Sequence, residues 1–162
     1  MFLLGHVGIG RTIVGRWGRA LPLVPLVVGT LLPDLVDKPL YYTHVSSFIS
    51  CTRTFGHTGL FLGLLLLIAT VTRSRAWLAL GIGVATHITL DGFLDLFSHE
   101  RSSALVAFAW PFLDRHFFTY GFTSPLDQLK HLWKAPIVSA EAIGLLLLVR
   151  EYLKRESAVR QG

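Results

Sequence analysis

The sequence predicts an all-α, polytopic helical membrane protein with about five membrane segments and a short helical cap over its outer face. Three observations predict it. Of the 162 residues, 52% are apolar and only 15% are charged, and the mean hydropathy is +0.55, whereas an ordinary soluble domain carries about 25% charged residues. The apolar residues fall in long runs, at 9–14, 21–35, 60–71, 76–97 and 136–149, with no strand-like alternation. Proline, glycine or arginine interrupts the chain between runs. The length suits one domain spanning 1–162.

The first run lies in a glycine-rich stretch, and the residues before it lack the basic start of a secretory signal, so it reads as part of the mature protein. Gly18 to Pro22, with Pro25 behind, separates it from the second run, whose end is bracketed by Pro33 and Pro39. The third and fourth runs are joined only by Thr72-Arg73-Ser74-Arg75, which predicts an antiparallel hairpin. The fourth alone has the roughly 20 residues that a full span needs, so flanking residues must lengthen the others or protein must shelter them. Residues 98–135 contain Pro111, Pro125 and many aromatics, too apolar for a linker, and are expected to form the cap.

Reversing the chain at each break sorts the charges. One side receives Arg11, Arg16, Arg19, Arg73, Arg75, Arg150, Lys154, Arg155 and Arg160 against only Glu151 and Glu156; the other receives six basic residues against eight acidic ones. By the positive-inside rule the first side is cytoplasmic. That predicts an integral protein of a prokaryotic inner membrane, N-terminus outside and C-terminus in the cytoplasm. It also accounts for the basic pI near 9.8 without nucleic acid as a partner. Trp17, Trp77, Trp110 and Trp133 flank the runs as an interfacial belt, and Gly59 and Gly63 have the small-residue spacing of a helix-packing seam.

The same sorting brings His6, Asp34, Asp37, His57, His87 and Asp91 from four segments to the non-cytoplasmic end. His87 and Asp91 are four residues apart, hence on one helical face, inside the most apolar long helix, where an ionisable pair is costly and points to function. Taken singly each has an ordinary reading: a core histidine, a solvated helix end, a cap. Together they are the nitrogen and oxygen ligands of a divalent metal site, the types that zinc takes where cysteine is absent; an extra bridging carboxylate would allow two ions. Cys51 is the only cysteine, which excludes an intramolecular disulfide and a multi-cysteine zinc motif. No base is placed beside Ser46, Ser47 or Cys51 by any motif, so a serine or cysteine hydrolase is not expected. His44, His99, His116 and His131 read as loop residues, with His99 and His116 within reach of the site from the cap.

The ordered set Gly5-His6, Leu32-Pro33-Asp34-Leu35-Val36-Asp37, Arg53-Thr54-Phe55-Gly56-His57-Thr58, His87-Ile88-Thr89-Leu90-Asp91 and Trp110-Pro111-Phe112 resembles the YdjM-like family of membrane-bound predicted metal-dependent hydrolases. That family is similar to the zinc-dependent phospholipase C and zinc nuclease superfamily, all-helical proteins whose metals are held between helices by His and Asp. The chain departs from the family's H-R-G-x-T-H-S motif, with Thr52, Thr54 and Gly56 replacing its first His, its Gly and its Thr, while His57 keeps the second His. No His-x-x-x-Glu pair follows Asp91, so the resemblance implies one or two ions and not three.

What the resemblance implies is an enzyme that hydrolyses a phosphoester of a membrane lipid or lipid-linked substrate through a metal-activated water. The expected ligands are His6, Asp34, Asp37, His57, His87 and Asp91. Asp34 or Asp37 serves as general base, and Arg53 steadies an anionic substrate. The competing expectation is a non-catalytic integral membrane protein with a structural metal site or a metal-ion carrier role.

Overall fold

A computed structural model describes residues 3–15, 21–43, 51–96, 103–113, 126, 130 and 135–160. The described chain is all-α, as predicted, with no strand among the described residues. The helices are α1 (Leu3–Gly15), α2 (Leu23–Tyr42), α3 (Gly59–Thr72), α4 (Arg75–Asp95), α5 (Ser103–Phe108) and α6 (Ala135–Arg160), and a 3-10 turn at Phe55–His57 precedes α3.

The predicted five membrane segments are not what the chain folds into. Among the described residues only α4 is long and apolar enough to cross a bilayer. The reason is partly length: α1 has 13 residues and α3 has 14, about 20 Å each at 1.5 Å per residue, against a hydrocarbon core about 30 Å thick. It is also charge, because the 20-residue α2 contains Asp34, Asp37 and Lys38, and α6 contains Glu141, Arg150 and Glu151 within its first two-thirds. Of the expected cap at 98–135, the described part is α5 with the turn after it, and residues 126, 130 and 135; α5 lies against α4 and the 3-10 turn. Trp17, Trp133, His44, His99, His116 and His131 lie outside the described residues.

Local chemistry sets the helix ends. Thr58 caps α3, its Oγ1 accepting from Phe61 N at 3.0 Å, and Ser74 caps α4 by accepting from Trp77 N. Between them Arg73 closes α3 in the left-handed conformation at φ 50°, and the hairpin expected at 72–75 forms. Pro33 and Pro39 do not end the second segment: α2 runs through both to Tyr42. Each removes a backbone N–H, a loss that the surrounding packing outweighs at Pro33, which is buried against the 3-10 turn.

Helix directions alternate. Leu26 packs with Ala79, Thr30 meets His87, and the seam between α2 and α4 is made where Gly29 faces Leu80 and Gly83 faces Leu26 and Gly29. The two helices therefore run parallel and nearly touch backbone to backbone, which any side chain at either glycine would prevent. The Gly59 and Gly63 pair makes no such seam: Gly63 faces open space and Gly59 packs on Phe108. Helix α3 is antiparallel to α4 through the hairpin, and α1 is antiparallel to it as well, with Val14 beside Ala79 and His6 beside Asp91. The starts of α1 and α3 and the later halves of α2 and α4 thus share one end of the bundle.

Candidate metal centre

At that end the structure gathers all six sequence-predicted ligand candidates. His6 comes from α1, Asp34 and Asp37 from α2, His57 from the 3-10 turn, and His87 and Asp91 from α4. Every one except Asp34 is at most 3% exposed, and the Asp34 side chain, 24% exposed, forms the open edge of the cluster.

Two histidines are locked by their far nitrogens. His87 Nδ1 lies 2.7 Å from Thr30 O, and because a carbonyl only accepts, Nδ1 carries the proton and Nε2 is left as a lone pair in the neutral ring. His57 Nδ1 lies 2.7 Å from Asp37 Oδ2, which holds its ring in the same sense. The two Nε2 atoms then face each other at 3.2 Å. Two lone pairs at that separation repel unless a proton or a cation lies between them. Burial works to lower the His57 pKa, but its hydrogen bond to Asp37 and the nearby Asp91 carboxylate more than offset this and hold it above the ordinary histidine range.

The carboxylates divide by role. Asp34 Oδ1 lies 3.9 Å from both facing Nε2 atoms, while its Oδ2 accepts from Lys38 Nζ at 2.6 Å. Asp91 Oδ2 lies 3.7 Å from His57 Nε2 and 3.8 Å from His87 Nε2, and Oδ1 lies 3.4 Å from His6 Nε2. Asp37 is different. Both of its oxygens are taken up by the turn, Oδ2 by Thr54 N at 2.7 Å and His57 Nδ1, and Oδ1 by Gly56 N at 2.8 Å. The structure brings it to the site behind His57. Gly56 allows this, since its backbone lies against Pro33 and Asp37 where a Cβ would collide.

Arg53, expected to face substrate, is turned onto α4. Its Nε donates to Asp91 Oδ2 at 3.1 Å, and Nη1 donates to both Asp95 oxygens at 2.9 and 2.8 Å. Burial opposes its charge, but Asp91 and Asp95 more than compensate and hold the guanidinium firmly protonated. Asp95, Lys38 and the Thr30 carbonyl were not among the candidates. Asp95 and Lys38 stand four residues after Asp91 and Asp34, so helical spacing puts each pair on one face; nothing in a sequence marks a particular carbonyl.

The residues fit a divalent cation. His6 is buried with neither ring nitrogen hydrogen-bonded and is stacked on His87 at 3.7 Å between ring centroids. A buried imidazole without a partner is costly, and a cation removes that cost. Two groups offer ligand atoms within 4.8 Å of one another: His6, Asp34 and His87, and His57, His87 and Asp91.

Comparison with curated proteins and with solved structures gives no match. Against family models, that of the YdjM inner membrane proteins matches residues 1–156. The match runs through every segment that builds the buried His and Asp cluster, and the chain belongs to the YdjM inner membrane protein family.

Proposed function

We propose that this chain is a membrane-bound metal-dependent hydrolase acting on a phosphoester of a lipid or lipid-linked substrate, with one divalent ion, zinc by ligand type, as its cofactor. The observation that carries the reading is the pair of imidazole Nε2 atoms facing each other at 3.2 Å, each ring fixed from behind. A metal ligand histidine held through its other nitrogen by a carboxylate or carbonyl is the usual arrangement around catalytic and structural zinc.

His6, His57, His87 and Asp91 would hold the ion, with Asp34 Oδ1 beside it at the open edge. It would supply Lewis-acid polarisation of a phosphoryl oxygen and a lowered pKa for water. One ion is favoured over two because His87 belongs to both groups but has only Nε2 to give. Charge agrees: among the described residues, Asp34, Asp37, Asp91 and Asp95 are set against Lys38 and Arg53, which leaves two negative charges for one dication to neutralise.

Asp34 stands at the open edge, where its Oδ1 is placed to accept a proton from an attacking water. Asp37 holds His57, and Arg53 holds Asp91 while lending positive charge beside the phosphoryl position. The overall change is addition of water across one P–O bond, giving a phosphate monoester or acid and an alcohol.

The site end is proposed to face outward. What supports this is the charge at the other end: Arg73 and Arg75 open α4, whereas His87 and Asp91 lie near its close. Helix α6 runs parallel to α1, so its basic C-terminal turns lie at the end away from the site.

A second reading, a non-catalytic protein with a structural metal site, is favoured by one observation: His6, His57 and His87 are at most 1% exposed, and structural sites are closed. Metal-loaded protein in detergent decides between them on a panel of phospholipids and phosphodiesters. Turnover that is lost with chelator, restored by Zn²⁺ and absent in His87→Ala supports the enzyme; a metal-loaded, folded sample without turnover on the panel supports the structural site.

A further inference from the structure

Glu141 is the one charged residue in the apolar run 135–149. In an inner membrane protein an acidic residue within such a run is expensive and calls for a function. The structure supplies a partner: Glu141 Oε2 accepts from Leu4 N at 3.0 Å and Gly5 N at 3.2 Å, two of the first-turn donors of α1 that no preceding turn satisfies. Helix α1 has no acidic residue of its own in that turn, so α6 caps it from outside. The next residue is His6.

His6 is the cluster member whose ring no hydrogen bond orients. Its position relative to His87 and Asp91 is therefore set by the α1 backbone and by its stacking on His87. That backbone is held by α6 at three levels: Glu141 at Leu4 and Gly5, the close Gly8 and Gly144 approach one turn on, and the Arg11 and Glu151 ion pair beyond it. Only the first lies next to His6.

We infer that Glu141 is a positioning residue for the metal centre, fixing the height and rotation of α1 so that the His6 ring reaches the cation. The inference rests on the metal-site reading above. It assigns α6, which carries none of the cluster's side chains, a specific part in building the site.

The test is a double-mutant cycle on Zn²⁺ affinity, measured by chelator competition on full-length protein in detergent, with Co²⁺ absorption as a ligand-field signature. Glu141→Ala is expected to lower affinity about tenfold, as loss of an outer-shell partner does, and to shift the Co²⁺ bands toward those of His6→Ala. In the His6→Ala background the same substitution should cost nothing further. Glu141→Gln should recover most of the loss, because its amide oxygen still accepts. Arg11→Ala, which loosens the helix pair away from His6, should leave affinity unchanged. If alanine prevents folding, Glu141→Asp, with the carboxylate drawn back by one methylene, gives the same cycle.

Unchanged affinity in Glu141→Ala overturns the inference. So does an equal loss with and without His6, or an equal loss in Arg11→Ala, since each marks a general packing effect. Wild-type protein that binds no Zn²⁺ or Co²⁺ overturns the metal reading itself and the inference with it.

Discussion

Asp37 shows how one buried carboxylate organises a centre from behind it. Three N–H groups point at it, from Thr54, Gly56 and the His57 ring. In Asp37→Asn one acceptor oxygen becomes an NH₂ facing donors, which leaves buried groups unsatisfied at a cost of about 1–3 kcal/mol and frees the His57 ring to turn. Zn²⁺ affinity should fall about 10–100-fold, measured by competition titration, with a lower Tm in the same sample. Retained affinity would mean that His57 is not a ligand. Cys51 gives a second check on how closed this region is. Burial pushes its thiol up and its Sγ donates to Arg53 O, so little thiolate forms at neutral pH. A maleimide should label it slowly in folded protein and rapidly after denaturation. At this scale much was legible: the four-residue spacing of His87 and Asp91 already put both on one face. The division of labour between Asp34 and Asp37 was not, because spacing places them together on α2 while Asp37 is claimed by a turn some 17–20 residues away and Asp34 by Lys38 on its own helix.

Between elements the decisive contacts are glycines on different helices, which no local spacing reveals. Gly29 and Gly83 bring α2 and α4 together, and that seam sets how Thr30 meets His87 and how Asp34 meets the imidazoles. A Cβ at Gly83 would overlap Leu26 O and Gly29. Gly83→Ala should therefore destabilise by about 1–3 kcal/mol and lower Tm by several degrees. Gly63→Ala meets nothing within 4 Å and, as a glycine removed from a helix interior, should be neutral or stabilising by up to about 1 kcal/mol. Melting curves of the two variants check this; equal destabilisation would refute the seam. The sequence pattern pointed to Gly59 and Gly63 because small residues four apart are the visible form of a seam. The five-segment expectation failed for a related reason. Apolar runs were counted as spans, but the charges that interrupt α2 are those that build the centre, and α1 and α3 stop short of a bilayer's thickness.

For the molecule as a whole, the polar centre at one end and the basic residues at the other define an axis. Thr43 lies just past α2 at the site end and Ser157 lies in the last turns of α6. Cysteine labels introduced at these two exposed positions should react from opposite sides of the membrane; reaction from one side would reject a crossing between them. The proposed cation, if bound at the polar centre, would tie the stability of the fold to it. Four segments converge on the facing His57 and His87 Nε2 atoms, a His6 ring without a hydrogen bond and the carboxylates of Asp34 and Asp91, groups that a bound cation would draw together. A cation bound only by the folded state stabilises by RT ln(1 + [L]/Kd), about 2.7 kcal/mol at a hundredfold excess over Kd. For a chain of this size that is a Tm shift of roughly 5–10 °C. Elemental analysis of purified protein should find one divalent ion per chain, and chelator should lower Tm by that order. In His87→Ala the shift should shrink sharply, since the variant removes the ligand common to both groups. Two ions per chain would reject the single-ion assignment, and a melt that chelator leaves unchanged in metal-loaded wild type would show that the buried histidines are held by packing alone.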